Sequence, residues 1–202
     1  MKRKVLVIGA IVAGLILSGC SQVNMAAKVG DKEITTNTVQ KSINEILKER
    51  KRFDLSNSNL PKGSSLNLSI LQFHLYSVLF DTIAKDTGIT VSEGDIAKER
   101  AAVIAQVGAE DKLPMALANA SIAQADFDRY LRSIIVVAKI REGLKQAGDT
   151  STDNSGLQKL ITAAGQKHKV EINPRYGRWN YDTGSIEQAP RSEEHTSELQ
   201  SH

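Results

Sequence analysis

The segment 66–85 is apolar on nearly every face of a helix, and it constrains the fold more than any other part of the chain. It starts at Leu66, and its further large apolar residues are Leu68, Ile70, Leu71, Phe73, Leu75, Val78, Leu79, Phe80 and Ile83. A helix without a clear polar face belongs to the buried centre of a domain. We therefore expect the other elements of the chain to pack around this segment.

Turn and capping residues predict the elements before this segment. Gly30-Asp31 lies between two short runs, which is typical of a small hairpin. A first helix is predicted to start at Asn37, with Gln40 three residues later as a capping signal, and to end near Arg52. The stretch 54–65 is rich in Ser, Asn, Gly and Pro, which predicts a loop.

Similar signals predict the elements after it. Gly88 is placed to end the apolar helix, and Ser92 with Asp95 is a capping pair for a third helix. A short helix over 112–120 and a capping box at Ser121 and Gln124 precede the predicted fourth long helix. A fifth amphipathic helix follows a polar linker, and its apolar residues are Leu157, Leu160, Ile161 and Ala164. The run 170–173 predicts a last strand.

The N-terminus has the pattern of an export signal. Three basic residues precede an apolar stretch of thirteen residues, 5–17, which is shorter than the ~20 residues that span a bilayer. The small-residue sequence that ends in Cys20, the only cysteine, resembles the lipobox of bacterial lipoproteins. We expect Cys20 to be the lipidated first residue of the mature protein, anchored to the cell membrane on its extracytoplasmic side. The alternative is an ordinary secretory signal with an incidental cysteine.

The C-terminal segment RSEEHTSELQSH, residues 191–202, resembles the in-frame translation of a sequencing adapter. We expect the natural sequence to be interrupted near Pro190. This segment contains His195 and His202, so these two histidines are left out of any site. Between the two terminal segments the acidic and basic residues nearly balance, so the composition does not favour a nucleic-acid partner.

Few residues are candidates for a functional site. His74 lies on the apolar helix, where a hydrogen-bonded core histidine is the favoured interpretation, and His168 ends the fifth helix, where a cation suits the helix C-terminus. Neither has the spacing of a metal ligand. The basic cluster 48–52 is interpreted as a solvated helix end, or alternatively as a contact with anionic lipid or cell-wall polymer. The aromatic stretch 173–181 is interpreted as structural, with Trp179 closing the core and an arginine stacked on a ring.

Four strings, in order, resemble the N-terminal domain of SurA-like periplasmic chaperones and of the related PrsA-like foldases. They are AKVGDKEIT at 27–35, GITVS at 88–92, DFDRYLR at 126–132 and NPRYGRW at 173–179. The last string is similar to one in actinobacterial lipoproteins that carry a SurA-like N-terminal domain. Together the strings span nearly all of the chain between Cys20 and Pro190.

The resemblance implies a mainly α fold of about five helices, closed by a small β-sheet that pairs the N-terminal hairpin with a C-terminal strand. It also implies a chaperone or foldase-like module, non-catalytic, that binds unfolded or extended client polypeptides. The predicted divisions are a signal peptide at 1–19, a tether at 20–25, the SurA N-terminal-like domain at 26–182, a truncated tail at 183–190 and the adapter-derived segment at 191–202.

Two other functions stay open at this point. The domain could dock one specific partner in the cell envelope, or it could belong to a prolyl isomerase whose catalytic domain followed Pro190. No parvulin domain, the module with isomerase activity in the foldases, is recognisable between Cys20 and Pro190. We therefore expect no catalytic, cofactor-binding or metal-binding residue, and a single modification site, Cys20.

Overall fold

A computed structural model describes residues 24–55, 59–148 and 155–188. The predicted signal peptide, Cys20 and the adapter-like segment lie outside these residues. The helices are α1 (Thr36–Arg52), α2 (Gly63–Thr87), α3 (Glu93–Val107), α4 (Leu113–Asn119), α5 (Phe127–Gln146) and α6 (Ser155–His168). The strands are β1 (Met25–Val29), β2 (Lys32–Thr35), β3 (Val170–Ile172), β4 (Arg178–Asn180) and β5 (Ser185–Glu187).

Local signals located most helix ends correctly. Ser92 and Asp95 form the predicted capping box of α3, with N–H to side-chain distances of 3.0 and 3.1 Å. Gly88 ends α2 and Gly108 ends α3, and both have the left-handed backbone that glycine adopts at low cost. Helix α2 starts at Gly63 rather than at 66, so the loop before it is shorter than predicted.

Two predicted caps were wrong. Helix α1 is capped by Thr35, which accepts the Thr38 N–H at 3.1 Å, because β2 leads directly into the helix. Ser121 does not cap α5, which starts at Phe127 after a 3-10 turn at Gln124–Asp126. Ser121 has a positive φ of 59°.

A three-stranded antiparallel sheet, in the order β2-β1-β3, closes the helical domain. Its outer strand β3 pairs Val170 with Val29 and Ile172 with Ala27, so the predicted pairing of distant strands is confirmed. A second hairpin, β4 and β5, was not predicted. It pairs Trp179 with Ile186 inside the stretch that the sequence analysis divided between domain and tail.

Helix α2 is the centre of the main hydrophobic core, as its composition predicts. It contacts α1, α5, α6 and the first strand. A second, smaller core lies where α3 and α4 pack on the start of α5, around Leu113, Leu117, Phe127 and Leu131. Among the described residues no helix is long and apolar enough to cross a membrane.

Candidate functional site

A groove of about 400 Å³ lies between α2 and α5. Its lining residues are Phe73, Tyr76, Ser77 and Phe80 from α2, and Tyr130, Ser133, Ile134, Val137 and Arg141 from α5. The α2 residues are spaced i, i+3, i+4 and i+7, so they form one stripe along that helix. Four of the nine aromatic residues of the chain are in this set, so aromatic surface is concentrated at the groove.

Two serines lie among the larger side chains of the groove, and their hydroxyls are satisfied within the protein. Ser77 donates to the Phe73 carbonyl at 2.8 Å, and Ser133 donates to the Arg129 carbonyl at 2.9 Å. The two hydroxyl oxygens are 3.2 Å apart. Because these side chains are small and already bonded, they leave space between the aromatic side chains without presenting unsatisfied polar groups.

Tyr76 connects the groove to the C-terminal hairpin. Its ring stacks on Phe80 with centroids 6.1 Å apart and meets Trp179 edge to face at 6.3 Å. Its hydroxyl donates to the Gly184 carbonyl at 3.0 Å. Burial raises the pKa of Tyr76 above its usual value of 10.0, so the hydroxyl stays a neutral donor. The position of this aromatic wall therefore depends on the hairpin behind it.

The groove lies where the two cores meet at the surface. Tyr130 and Ile134 pack against the smaller core, whereas Tyr76, Phe80 and Val137 pack against the main one. All five side chains are only half-buried. Part of their apolar surface is therefore available to another molecule.

Comparison with known families identifies the chain. The model of the SurA-like N-terminal domain matches residues 2–141, which is more than half of the sequence. The chain belongs to the SurA-like N-terminal domain family. It is therefore a module related to SurA- and PrsA-type chaperones, a non-catalytic type of domain. No curated protein and no solved structure matches the chain.

Behind the groove wall, the SurA-like domain contains a buried polar cluster that sequence reasoning missed. Ser42 on α1, His74 on α2 and Asp126 before α5 meet although they are far apart in sequence. The Ser42 Oγ lies 2.6 Å from an Asp126 carboxylate oxygen and 3.0 Å from the His74 Nε2. His74 is only 1% exposed, which confirms its interpretation as a hydrogen-bonded core histidine.

One arrangement of protons satisfies all three side chains. Burial lowers the pKa of His74, although the nearby Asp126 carboxylate partly opposes that shift, so the ring is neutral. The neutral ring donates its Nε2 hydrogen to the Ser42 oxygen, and the Ser42 hydroxyl donates to Asp126. A nucleophilic triad needs the acid and the serine on opposite ring nitrogens. Here Asp126 and Ser42 are both on the Nε2 side, so the cluster is suited to joining helices rather than to attacking a substrate.

In the basic cluster 48–52, Lys48, Lys51 and Arg52 are exposed, whereas Arg50 is buried. Arg50 is 5% exposed, so the interpretation of the whole cluster as solvated was wrong for this residue. Its guanidinium donates to the carbonyls of Pro61 and Ala118 at 2.7 and 3.2 Å, and to the Ser121 hydroxyl at 2.6 Å. Burial lowers the pKa of Arg50. These hydrogen bonds connect the end of α1 to the loop before α2 and to the end of α4.

The remaining sequence candidates have structural roles. Trp179 is 7% exposed within the main core, and Arg175 lies over the Tyr176 ring at 4.9 Å, so both predictions for the stretch 173–181 are confirmed. His168 ends α6 and bonds to Asp86 at 2.8 Å. No group of three or more potential metal ligands occurs in the part of the chain that the structure describes.

Proposed function

We propose that this protein is a chaperone or foldase-like module that binds unfolded or extended polypeptides in the groove between α2 and α5. The observation that carries the proposal is the concentration of half-buried aromatic side chains along that groove, in a chain of the SurA-like family. The occupant is an extended segment whose apolar side chains enter the space between Phe80 and Tyr130.

The energetics favour weak and broad binding. Burying one large apolar side chain contributes about 1.5–3 kcal/mol. Ordering each side chain on binding costs about 0.5–1.5 kcal/mol, and association costs further free energy because translational freedom is lost. A groove of about 400 Å³ holds only a few side chains. We therefore expect low affinity for any one segment and tolerance of many sequences, which suits a chaperone.

The place of action that we propose is the outer surface of the cell membrane. The predicted signal peptide and the acylated Cys20 would hold the domain there. Labelling of cells with a fatty-acid analogue tests this part: the intact chain should incorporate the label, and Cys20→Ser should abolish incorporation. Label in the Cys20→Ser variant, or none in the wild type, would contradict the anchor without bearing on the groove.

The groove is tested with the intact protein and an unfolded client. The wild type should slow aggregation of the client, and Phe80→Ala and Ile134→Ala should each weaken that effect because they remove apolar surface from opposite walls. Met115→Ala is the matched control, since Met115 is 40% exposed on α4 and is not a lining residue of the groove. Thermal unfolding of each variant confirms that it is folded.

Three results would contradict the proposal. The wild type could leave client aggregation unchanged, or Met115→Ala could reduce the effect as much as the groove variants do. The third result is crosslinking in cells to one saturable partner with no binding of unrelated peptides, which would favour the docking function.

A further inference from the structure

The exposed face of α1 carries a stripe of cations. Lys41, Lys48, Lys51 and Arg52 are all exposed. Successive residues of a helix are 100° apart, so Lys41, Lys51 and Arg52 each lie within about 60° of Lys48 around the helix axis. The buried residues Val39, Ile43, Ile46 and Arg50 lie on the opposite side. We call the outward surface with its four cations the basic face of α1.

The two acidic residues of α1 lie at one edge of the basic face, Glu45 about 60° and Glu49 about 100° from Lys48 around the helix. Glu45 is half-buried and accepts the Ala125 N–H at 3.1 Å. Glu49 is half-buried and pairs with Arg52 at 3.1 Å. The next exposed acid along the chain is Asp54, beyond the helix end. Among the described residues, no carboxylate pairs with any of the three lysines, so their charge is directed to solvent.

An apolar side chain borders this charge. Leu47 is 46% exposed, the largest exposure of any large hydrophobic residue in the described part of the chain. It lies about 40° from Lys51 around the helix. A helix that combines basic residues with an exposed apolar side chain has the properties of an element that rests on an anionic membrane, where charge attracts and the apolar group inserts.

We propose that the basic face of α1 docks on a bilayer that contains anionic lipid. The proposal does not require chaperone activity or lipidation of Cys20. A soluble polyanion would use the lysines alone, whereas a bilayer also uses Leu47, and this difference favours lipid as the occupant.

The connection of α1 to the N-terminus fits this orientation. Met25 pairs with Thr35, the residue that caps α1, so the chain enters the fold beside the start of this helix. Residues 20–24 reach at most about 17 Å when extended. An anchor at Cys20 would therefore keep α1 close to the membrane, and docking would require no long linker.

The same orientation leaves the groove accessible. His74 marks the side of α2 that faces α1, because it bonds to Ser42. The four groove residues of α2, Phe73, Tyr76, Ser77 and Phe80, lie about 260°, 200°, 300° and 240° from His74 around the helix axis. The groove is thus centred about 110° from the side of α2 that faces α1, and a domain docked through its basic face would leave the groove uncovered, to the side of the contact with the bilayer.

Vesicle co-sedimentation tests the proposal with the chain from residue 20 onward carrying Cys20→Ser, so that no lipid anchor contributes. The protein should sediment with vesicles of equal parts phosphatidylglycerol and phosphatidylcholine, and not with phosphatidylcholine alone. Each lysine at an anionic surface strengthens binding by a factor of about five. Charge reversal of Lys41, Lys48 and Lys51 to Glu should therefore weaken binding by roughly a hundredfold or more.

A second triple variant separates the basic face from net charge. Lys85, Lys98 and Lys159 are exposed on α2, α3 and α6, and their replacement by Glu changes the net charge by the same amount. This control should keep its vesicle binding within a few-fold of the wild type. Equal losses in the two triple variants, or no sedimentation of the wild type, would overturn the proposal.

Leu47 distinguishes a bilayer from a soluble polyanion. Leu47→Ser should weaken binding to the anionic vesicles by several-fold and leave binding to polyphosphate unchanged. If Leu47→Ser has no effect on vesicle binding while polyphosphate competes fully, the basic face is a polyanion site and the membrane proposal is wrong.

Discussion

Replacement of Gly165 by alanine should destabilise the protein, although glycine to alanine in a helix ordinarily does the reverse. Gly165 is a buried residue of α6. A Cβ at this position would lie 2.8 Å from the Trp179 Nε1 and 3.2 Å from two further indole atoms. The indole therefore occupies the space that a methyl group would need.

The magnitude follows from two opposing effects. Alanine is favoured over glycine inside a helix by about 1 kcal/mol. Overpacking of a close-packed core costs about 1–3 kcal/mol. Because Trp179 is 7% exposed and enclosed by α6 and the C-terminal hairpin, the ring has little room to retreat. Gly165→Ala should thus be between about neutral and 2 kcal/mol less stable than the wild type.

Gly143 provides a matched control in α5. A Cβ there meets no atom within 4 Å, so Gly143→Ala should gain about 0.5–1 kcal/mol. Urea unfolding followed by circular dichroism measures both changes in the free energy of unfolding. In thermal unfolding, each kcal/mol shifts Tm by about 2–4 °C for a domain of this size. Trp179 is the only tryptophan, so its fluorescence reports on the perturbed site alone.

A double-mutant cycle completes the test. In a Trp179→Phe background the smaller ring should accept the new methyl group, and Gly165→Ala should cost less there than in the wild type. The indole N–H has no hydrogen-bond partner in the described structure, so phenylalanine loses no bond at this position. If Gly165→Ala stabilises the protein as much as Gly143→Ala does, the indole does not pack against α6 and the reasoning is refuted.

Three further predictions concern titratable groups. Arg50→Met should cost roughly 2–4 kcal/mol in urea unfolding because three acceptors lose their donor, whereas the exposed Arg52→Met should stay within about 0.5 kcal/mol of the wild type. The Lys139 ammonium, with help from a backbone N–H, lowers the pKa of Asp95 to about 2. The stabilising effect of the ionised Asp95 is thus complete above pH 3.8 and is lost as the pH falls from there through about 2. Lys139→Met should raise the pKa of Asp95, which NMR measures. Because burial lowers the pKa of His74 below 6.5, stability should fall as the pH falls below that value, and His74→Gln should flatten this dependence in urea titrations at several pH values.

Local signals in the sequence predicted those features that depend on neighbouring residues. The Ser92–Asp95 capping box spans three residues, and the glycine that ends α2 acts through its own backbone. The central place of α2 followed from its composition, since exposing ten large apolar residues of one helix to water would be unfavourable. The sequence did not show which of them would be covered incompletely. Phe80 is half-buried because none of the elements that the structure describes covers the space between α2 and α5 at that point.

Features that join distant segments could not be predicted from one sequence. Arg50 is one of several cations in a short run, and only the tertiary fold shows that it faces three oxygens from other segments. Ser42 and His74 are likewise ordinary residues for a helix, and no spacing links them to Asp126. Such contacts depend on which helices become neighbours, and this information is spread over the whole core.

The groove also depends on a part of the chain beyond the matched family region. The family match ends at Arg141, within α5, but β3 pairs with β1 and α6 packs on α2. Tyr76, one wall of the groove, is held from behind by Trp179 and by the Gly184 carbonyl. A protein cut after α5 would lose these supports and would expose the buried side of α2. The folded unit that forms the groove therefore extends at least to the C-terminal hairpin, and the wall at Tyr76 should respond to changes in that hairpin as well as to changes in the groove itself.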